Sequence, residues 1–251
     1  MISKANIKLI NSLSQKKVRD ELGLFVIEGT KNICDLCPYF ECQKLFATQE
    51  WIDQHATISA QEINICTVDE IKKISEVKTS QGVIGIFRKN IPTLPDENEL
   101  YNHLFLVLDN IQDPGNLGTI IRIADWFGIT HIFCSKSTVD VYNSKVVQST
   151  MGAIARIQIH YVNLVDFLSK IKGKTPIYGT FLEGENIYET SLLKKGYIIM
   201  GNEGQGISDE VKTFVSNKLL IPNYPLGRQC IESLNVATAT AIVCSEFRRR
   251  N

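Results

Sequence analysis

The chain has 251 residues, 44% hydrophobic and 22% charged, and its 27 basic and 27 acidic side chains cancel to zero net charge. That length holds one large domain or two modest ones, and the balance is that of a soluble protein with a real core. No apolar run approaches the ~20 residues that span a bilayer, and zero charge creates no bulk demand for a polyanionic partner.

Residues 1–23 are interrupted by polar side chains and lack the unbroken apolar stretch of a signal peptide, so a cytoplasmic protein is expected. Within residues 1–19 stand Lys4, Lys8, Lys16, Lys17 and Arg19 with no acid among them. Such a stretch suits phosphate contact and equally suits a solvated helix face. Short β-rich runs follow at 24–27, 44–47, 64–67 and 83–87, alternating with polar-faced helical stretches such as 68–76. That alternation predicts a small α/β domain over residues 1–90. The seven cysteines are an odd number scattered through folded segments, which fits reduced thiols better than a disulfide framework. Cys34, Cys37 and Cys42 cluster, but no second CxxC or paired histidine follows at a matching spacing; they read as helix-packing residues, and no metal is expected.

Two prolines, several acids and little apolar content between 89 and 100 mark a linker, taken as 91–100. Residues 104–108 then form a continuous apolar run, as a strand buried on both faces does. Helical spacing at 116–127, 144–152 and 164–171 alternates with strands at 131–134, 154–161, 177–182, 197–201 and 218–222, and a long helix over 234–248 closes the chain. This is the rhythm of a parallel, doubly wound sheet over 101–251, with ligands expected where strands end and loops begin.

Three of those loops stand out. The first, DNIQDPGNLGT at 109–119, carries a Pro-Gly turn, Asn116 as a candidate N-cap and Arg122 further along the helix. The second, MGNEGQGIS at 200–208, sets three glycines around Asn202 and Glu203, a backbone cost that points to tight geometry or a bound ligand. The third, IPNYPLGRQCIESLN at 221–235, leads into the last helix with Ser233 as its candidate cap; Asn235 in the first turn is poorly explained by helix propensity.

In this order and spacing, NLGTIIR (116–122), GNEGQGI (201–207) and IP–G–ESLNVA (221–237) resemble the three signature motifs of the SpoU (TrmH) family of RNA 2′-O-methyltransferases. FVIEGTKNI at 25–33 resembles the ribosomal-protein-like RNA-binding domain that many members carry. The resemblance implies a SPOUT catalytic domain with a deep trefoil knot, a homodimer, S-adenosylmethionine as cofactor and rRNA, with tRNA left open, as substrate. It implies cofactor contacts from Thr180, Leu182, Gly184, Gly201, Asn202, Gly204, Ile221, Leu226, Ser233 and Leu234. By the same resemblance Arg122 would approach the acceptor ribose and its phosphate, Asn116 and Ser233 would orient nucleotide or arginine, Glu203 would hold Arg122 or its loop, and Asn235 would lock the pocket. Lys4, Lys8, Lys16 and Arg19 become the candidate RNA contacts. Ala237 stands where members commonly have serine.

Two rival readings stay open from the sequence. An assembly protein could keep the fold and RNA binding without activity, although it would not require all of Asn116, Arg122, Glu203, Ser233 and Asn235. An enzyme for a small nucleotide-like metabolite would carry a phosphate-cradling loop after the first strand of either domain, and no such motif is seen.

Overall fold

The computed structural model describes residues 2–77, 80–225 and 233–249. They divide into two compact units: Met1–Ile91 with Asp140–Ala155, and Pro92–Val139 with Arg156–Asn251.

In the first unit, helices α1 (Lys4–Ser12), α2 (Lys16–Leu22), α3 (Thr30–Leu36), α4 (Gln49–Gln54) and α5 (Val68–Ile74) accompany four strands. These strands, β1 (Leu24–Glu28), β2 (Cys42–Ala47), β3 (Glu62–Ile65) and β4 (Val83–Arg88), form a sheet ordered β1-β4-β2-β3. The β1–β4 and β4–β2 pairs are antiparallel and β2–β3 is parallel. Thr67 and Glu70 form a reciprocal capping box that starts α5, whose Ile71 and Ile74 meet Phe46, Ile84 and Ile86 of the sheet in one apolar core. Cys34 lies on α3, Cys37 caps its C-terminus and Cys42 is buried at the head of β2. Among the described residues no group of three or more His, Cys, Asp or Glu is placed to hold a metal ion.

The second unit opens with α6 (Glu97–Asn102), started by an Asp96–Glu99 capping box, so that helix occupies part of the segment read as linker. Strands β5 (Leu104–Leu108), β6 (His131–Ser135), β7 (Gln158–Val162), β8 (Ile177–Asn186), β9 (Gly196–Met200) and β10 (Asn217–Leu220) form a parallel sheet ordered β10-β8-β9-β5-β6-β7. Every residue of central β5 and β9 is buried, because helices cover both faces of such a sheet. Those helices are α7 (Pro114–Trp126), α9 (Leu164–Ile171), the short α10 (Asp209–Lys212) and the closing α11 (Val236–Arg249); α8 (Ser144–Thr150) lies in the stretch given to the first unit. Arg248 of α11 donates to the carbonyls of Phe127 and Gly128 at the end of α7 (2.7 and 3.1 Å), satisfying acceptors that a helix C-terminus leaves open. Among the described residues no helix is long and apolar enough to cross a membrane.

The stretch Asp140–Ala155, between β6 and β7, is built into the first unit. Its anchor is Arg19, which donates from Nε and Nη2 to Oδ2 of Asp140 (2.9 and 2.6 Å) and from Nη1 to the carbonyls of Leu13 and Ser14 (2.9 and 2.8 Å). The Arg19 and Asp140 side chains are 3% and 8% exposed. Arg19 is therefore an interior cation and not the phosphate contact expected from the basic N-terminal run; its carboxylate partner lies 121 residues away in sequence. Tyr142 packs on Phe25 (ring centroids 4.6 Å apart) and donates its hydroxyl to the carbonyl of Asn90, and burial pushes that hydroxyl up to about 12. Gln148 donates to the carbonyl of Glu28 (3.0 Å). The strand expected at 154–161 begins only at Gln158: left-handed Met151 and Gly152 end α8, and a 3₁₀ turn fills Ala153–Ala155. Of the other N-terminal cations, Lys4 and Lys8 are exposed on α1. Lys16 is exposed but salt-bridged to Asp20 (2.6 Å), and it and Lys89 hold that carboxyl down to about 2.

Candidate active site

The cavity of the second unit is opened by a register change. Parallel pairing of β8 with β9 ends at Gly179, and pairing with β10 jumps from Lys218↔Gly179 to Leu219↔Glu185. Residues 180–184 have no partner in either register, and their freed backbone forms one wall. The loops that follow β9 and β10 form the others, around a volume of about 600 Å³. That volume lies at the carboxyl ends of parallel strands, where open α/β sheets take ligands.

The loop after β9 is held shut by its own side chains. Asn202 pairs with Gly206 backbone to backbone, accepts at Oδ1 from the amides of Gly204 and Gln205 (2.9 and 3.0 Å), and donates from Nδ2 to the Asn110 carbonyl (2.8 Å). Gly201 has no room for a side chain, since a Cβ there would lie 2.2 Å from the carbonyl carbon of Gly206 and 2.3 Å from the nitrogen of Ile207. Buried Asp109, directly after β5, accepts from the Ser208 amide (2.8 Å) and fixes the far end of the loop.

A three-residue relay joins the loops. Asn235 donates from Nδ2 to Oδ1 of Asn116 (2.9 Å), and Asn116 donates from its own Nδ2 to Oε1 of Glu203 (2.8 Å). Both asparagines are free to do this because the helix starts differ from those expected. Pro114 occupies the first position of α7, as its fixed φ and missing N–H favour, and Asp113 caps it by accepting from the Asn116 amide (2.8 Å). Asn116, expected as the cap, is thus inside the first turn with its side chain spare. At α11 the cap is Asn235 and not Ser233: Asn235 Oδ1 accepts from the amides of Ala237 and Thr238 (3.0 and 3.3 Å), leaving its Nδ2 for Asn116.

Of the residues expected at the site, Thr180, Leu182, Gly201, Asn202, Glu203, Gly204, Ile221, Ser233 and Leu234 line the cavity. Gly184 does not; a Cβ there would lie 2.7 Å from the Lys218 carbonyl oxygen, so its smallness serves the return of β8 onto β10. Leu226 lies outside the described residues. Arg122 is exposed on α7 and is not a lining residue. The hydrogen bond seen on Glu203 comes from Asn116, where Arg122 had been expected. Asp109 and the lining residues Glu183, Lys212 and Lys218 went unremarked in the sequence. A carboxylate straight after a fully buried strand is a usable signal for the first; single charged residues in polar surroundings give none for the others.

A parallel α/β sheet whose loops meet, through two asparagines and a glutamate, beside one open cavity has the form of a domain with room for a small-molecule ligand at its strand ends. Residues 103–245 match the model of the SpoU rRNA Methylase family, and the chain belongs to that family. Residues 4–85 match the MRM3-like substrate binding domain. Over 246 residues the chain is 28% identical to the 23S rRNA (guanosine(2553)-2′-O)-methyltransferase RlmP of Bacillus subtilis, covering 96% of this chain and 95% of that one. A TrmH-family structure from Porphyromonas gingivalis is similar over 100% of both chains, with 38% identity and a TM-score of 0.90. An AdoMet-bound rRNA methyltransferase from Sinorhizobium meliloti is 29% identical with a TM-score of 0.83, covering 100% of this chain and 97% of that one.

Proposed function

We propose that this chain transfers a methyl group from S-adenosylmethionine to a ribose 2′-hydroxyl of RNA, ribosomal rather than transfer RNA. The observation that carries the reading is the Asn235–Asn116–Glu203 relay, which ties all three motif loops to one cavity. The cavity fits the cofactor. Its volume of about 600 Å³ lies in the usual range for small-molecule sites, and Gly201, packed against the Gly206–Ile207 backbone, fixes the loop that lines it. Backbone groups near Gly201, Ile221 and Leu234 would take the adenine and ribose, flanked by the exposed apolar side chains of Leu182 and Leu234. When bound, the cofactor supplies a methyl group on a sulfonium, a leaving group that departs neutral.

The chain's own work is then to place the ribose oxygen in line and to help remove its proton. Arg122 is assigned to the phosphate beside the acceptor ribose. A guanidinium with a pKa above ~12 is a poor base, so the phosphate takes the proton while Arg122 positions and polarises it. Ser233 orients the nucleotide, and Glu203, held by Asn116, keeps the glycine-rich loop in place. Titration calorimetry with S-adenosylmethionine and transfer of labelled methyl into ribosomal RNA test the reading together. Arg122→Lys is expected to lower turnover by ~100-fold or more with cofactor affinity within about twofold; near-normal activity would remove Arg122 from the chemistry. Mapping 2′-O-methyl positions in a deletion strain identifies the nucleotide.

The same reading includes the trefoil knot, supported by the membership in the SpoU family and by the meeting of the 201–207 loop and the start of α11 through Asn116. It includes a homodimer through the C-terminal domain, supported by the membership in the SpoU family. RNA binding falls to the first unit, with Lys4, Lys8 and Lys16 among its exposed N-terminal cations, and the site of action is the cytoplasm.

A further inference from the structure

The cavity carries two charges that no partner among the described residues answers. Lys218 lines it with its ammonium 5.4 Å from the centre of the Phe181 ring, itself a lining residue, and makes no ion pair with another described residue. Glu183 lines it from the unpaired stretch of β8, two residues beyond Phe181, and likewise has no bonded partner among the described residues. The other lining charges are engaged: Lys212 with Asp209 (2.8 Å) and Glu203 with Asn116 (2.8 Å). An exposed lysine normally leaves its long side chain free in water. Here the aromatic face under the ammonium restrains it by a cation–π contact and keeps it at the cavity wall.

An ammonium and a carboxylate on adjacent strands, neither with a partner among the described residues, complement a zwitterion. S-adenosylmethionine has such an end, with an α-carboxylate and an α-ammonium on the chain beyond its sulfonium. We infer that Lys218, propped on Phe181, binds the α-carboxylate of the cofactor and that Glu183 binds its α-ammonium, so that this pair selects the amino-acid end of the ligand. The inference rests on the cavity being the cofactor site, as proposed above. Charge alone gives the opposite sign for Lys218: a bare cation near a sulfonium is repulsive, so its removal would tighten binding. A contact to the carboxylate makes its loss weaken binding of ligands that carry the carboxylate and spare those that lack it.

The test is a set of dissociation constants by calorimetry on the full chain. The probes are S-adenosylmethionine, decarboxylated S-adenosylmethionine, which keeps the ammonium and sulfonium but lacks the carboxylate, and 5′-methylthioadenosine, which lacks the amino-acid end. Lys218→Gln is expected to weaken S-adenosylmethionine about tenfold, to leave 5′-methylthioadenosine within about twofold, and to leave or tighten the decarboxylated ligand. Glu183→Gln is expected to weaken S-adenosylmethionine and the decarboxylated ligand, but not 5′-methylthioadenosine. Lys218→Arg should recover most of the S-adenosylmethionine affinity, and circular dichroism establishes that each variant is folded. Equal binding of S-adenosylmethionine by the parent and Lys218→Gln overturns the inference alone, as does equal weakening of all three ligands, which would put Lys218 on the nucleoside. Failure of the parent to bind either S-adenosylmethionine or 5′-methylthioadenosine overturns the cofactor reading, and this inference with it.

Discussion

Replacing Asp140 by alanine strands the guanidinium of Arg19 inside the first unit. Two donor bonds to one carboxylate oxygen disappear, from Nε at 2.9 Å and Nη2 at 2.6 Å, while the two bonds from Nη1 to the Leu13 and Ser14 carbonyls remain. Opposite charges about 4 Å apart interact by roughly 4 kcal/mol at an effective dielectric of about 20. Breaking a buried pair by removing one member costs about 3–5 kcal/mol, because the survivor keeps its desolvation penalty. The retained carbonyl bonds put Asp140→Ala near the lower end, about 3 kcal/mol. The two tryptophans make the effect readable by unit: Trp51 is buried in the first unit and bonds to Thr30, whereas Trp126 is 85% exposed in the second. In a Trp126→Phe background, urea unfolding followed by fluorescence reports on the first unit. Asp140→Ala should move that transition by about 3 kcal/mol, and Arg19→Met with Asp140→Leu should regain most of the loss. A loss below about 1 kcal/mol, or a double variant as unstable as the sum of the singles, would refute the assignment of Arg19 as a buried cation that depends on Asp140.

Gly201→Ala should abolish cofactor binding with the fold retained, since the new carbon would press on the Gly206–Ile207 backbone; calorimetry giving affinity within twofold of the parent would contradict this, about 0.4 kcal/mol being too little for such a clash. Asn235→Asp keeps an oxygen to cap α11 but cannot donate to Asn116, whereas Asn235→Ala loses both functions. The alanine variant should therefore lose about 1 kcal/mol of stability in urea unfolding that the aspartate keeps, while both lose methyl transfer; an active aspartate variant would remove the relay from function. Burial, then the neighbouring His131, lowers His160 from 6.5 to about 4. The unfolded chain thus takes the proton first, so the contribution of neutral His160 is complete above about pH 6.5 and is lost as pH falls towards about 4, by at most about 3 kcal/mol. Urea midpoints at about pH 7 and pH 5 should differ less in His160→Gln than in the parent, and an unchanged difference would exclude His160 as the source.

The apolar run of β5 announced a strand buried on both faces, and the three polar, glycine-bearing loops announced a shared site, because local composition carries both signals. The details that escaped were set by neighbours distant in sequence. A basic N-terminal run looks solvated until Asp140 arrives to bury Arg19. Asn116 and Ser233 each look like a cap, yet Pro114 shifts the start of α7 and Asn235 takes the cap of α11, and the spare amides of Asn116 and Asn235 are what connect the loops. Gly184 looks like part of a ligand loop, but the constraint on it is the backbone of β10. The gap in β8 pairing that opens the cavity depends on which residues of two strands face each other, and neither strand alone encodes that.

Because Asp140–Ala155 belongs to the first unit, the chain passes from one unit to the other three times, at 91/92, 139/140 and 155/156. A fragment ending at residue 91 would leave Arg19 without its counterion and Phe25 without Tyr142. Grafting the N-terminal module onto a relative therefore requires transplanting two discontinuous pieces. The family match over 103–245 runs straight through the second piece. Differences between relatives at 140–155 will thus be counted as variation in the catalytic half while they retune the module attached to it.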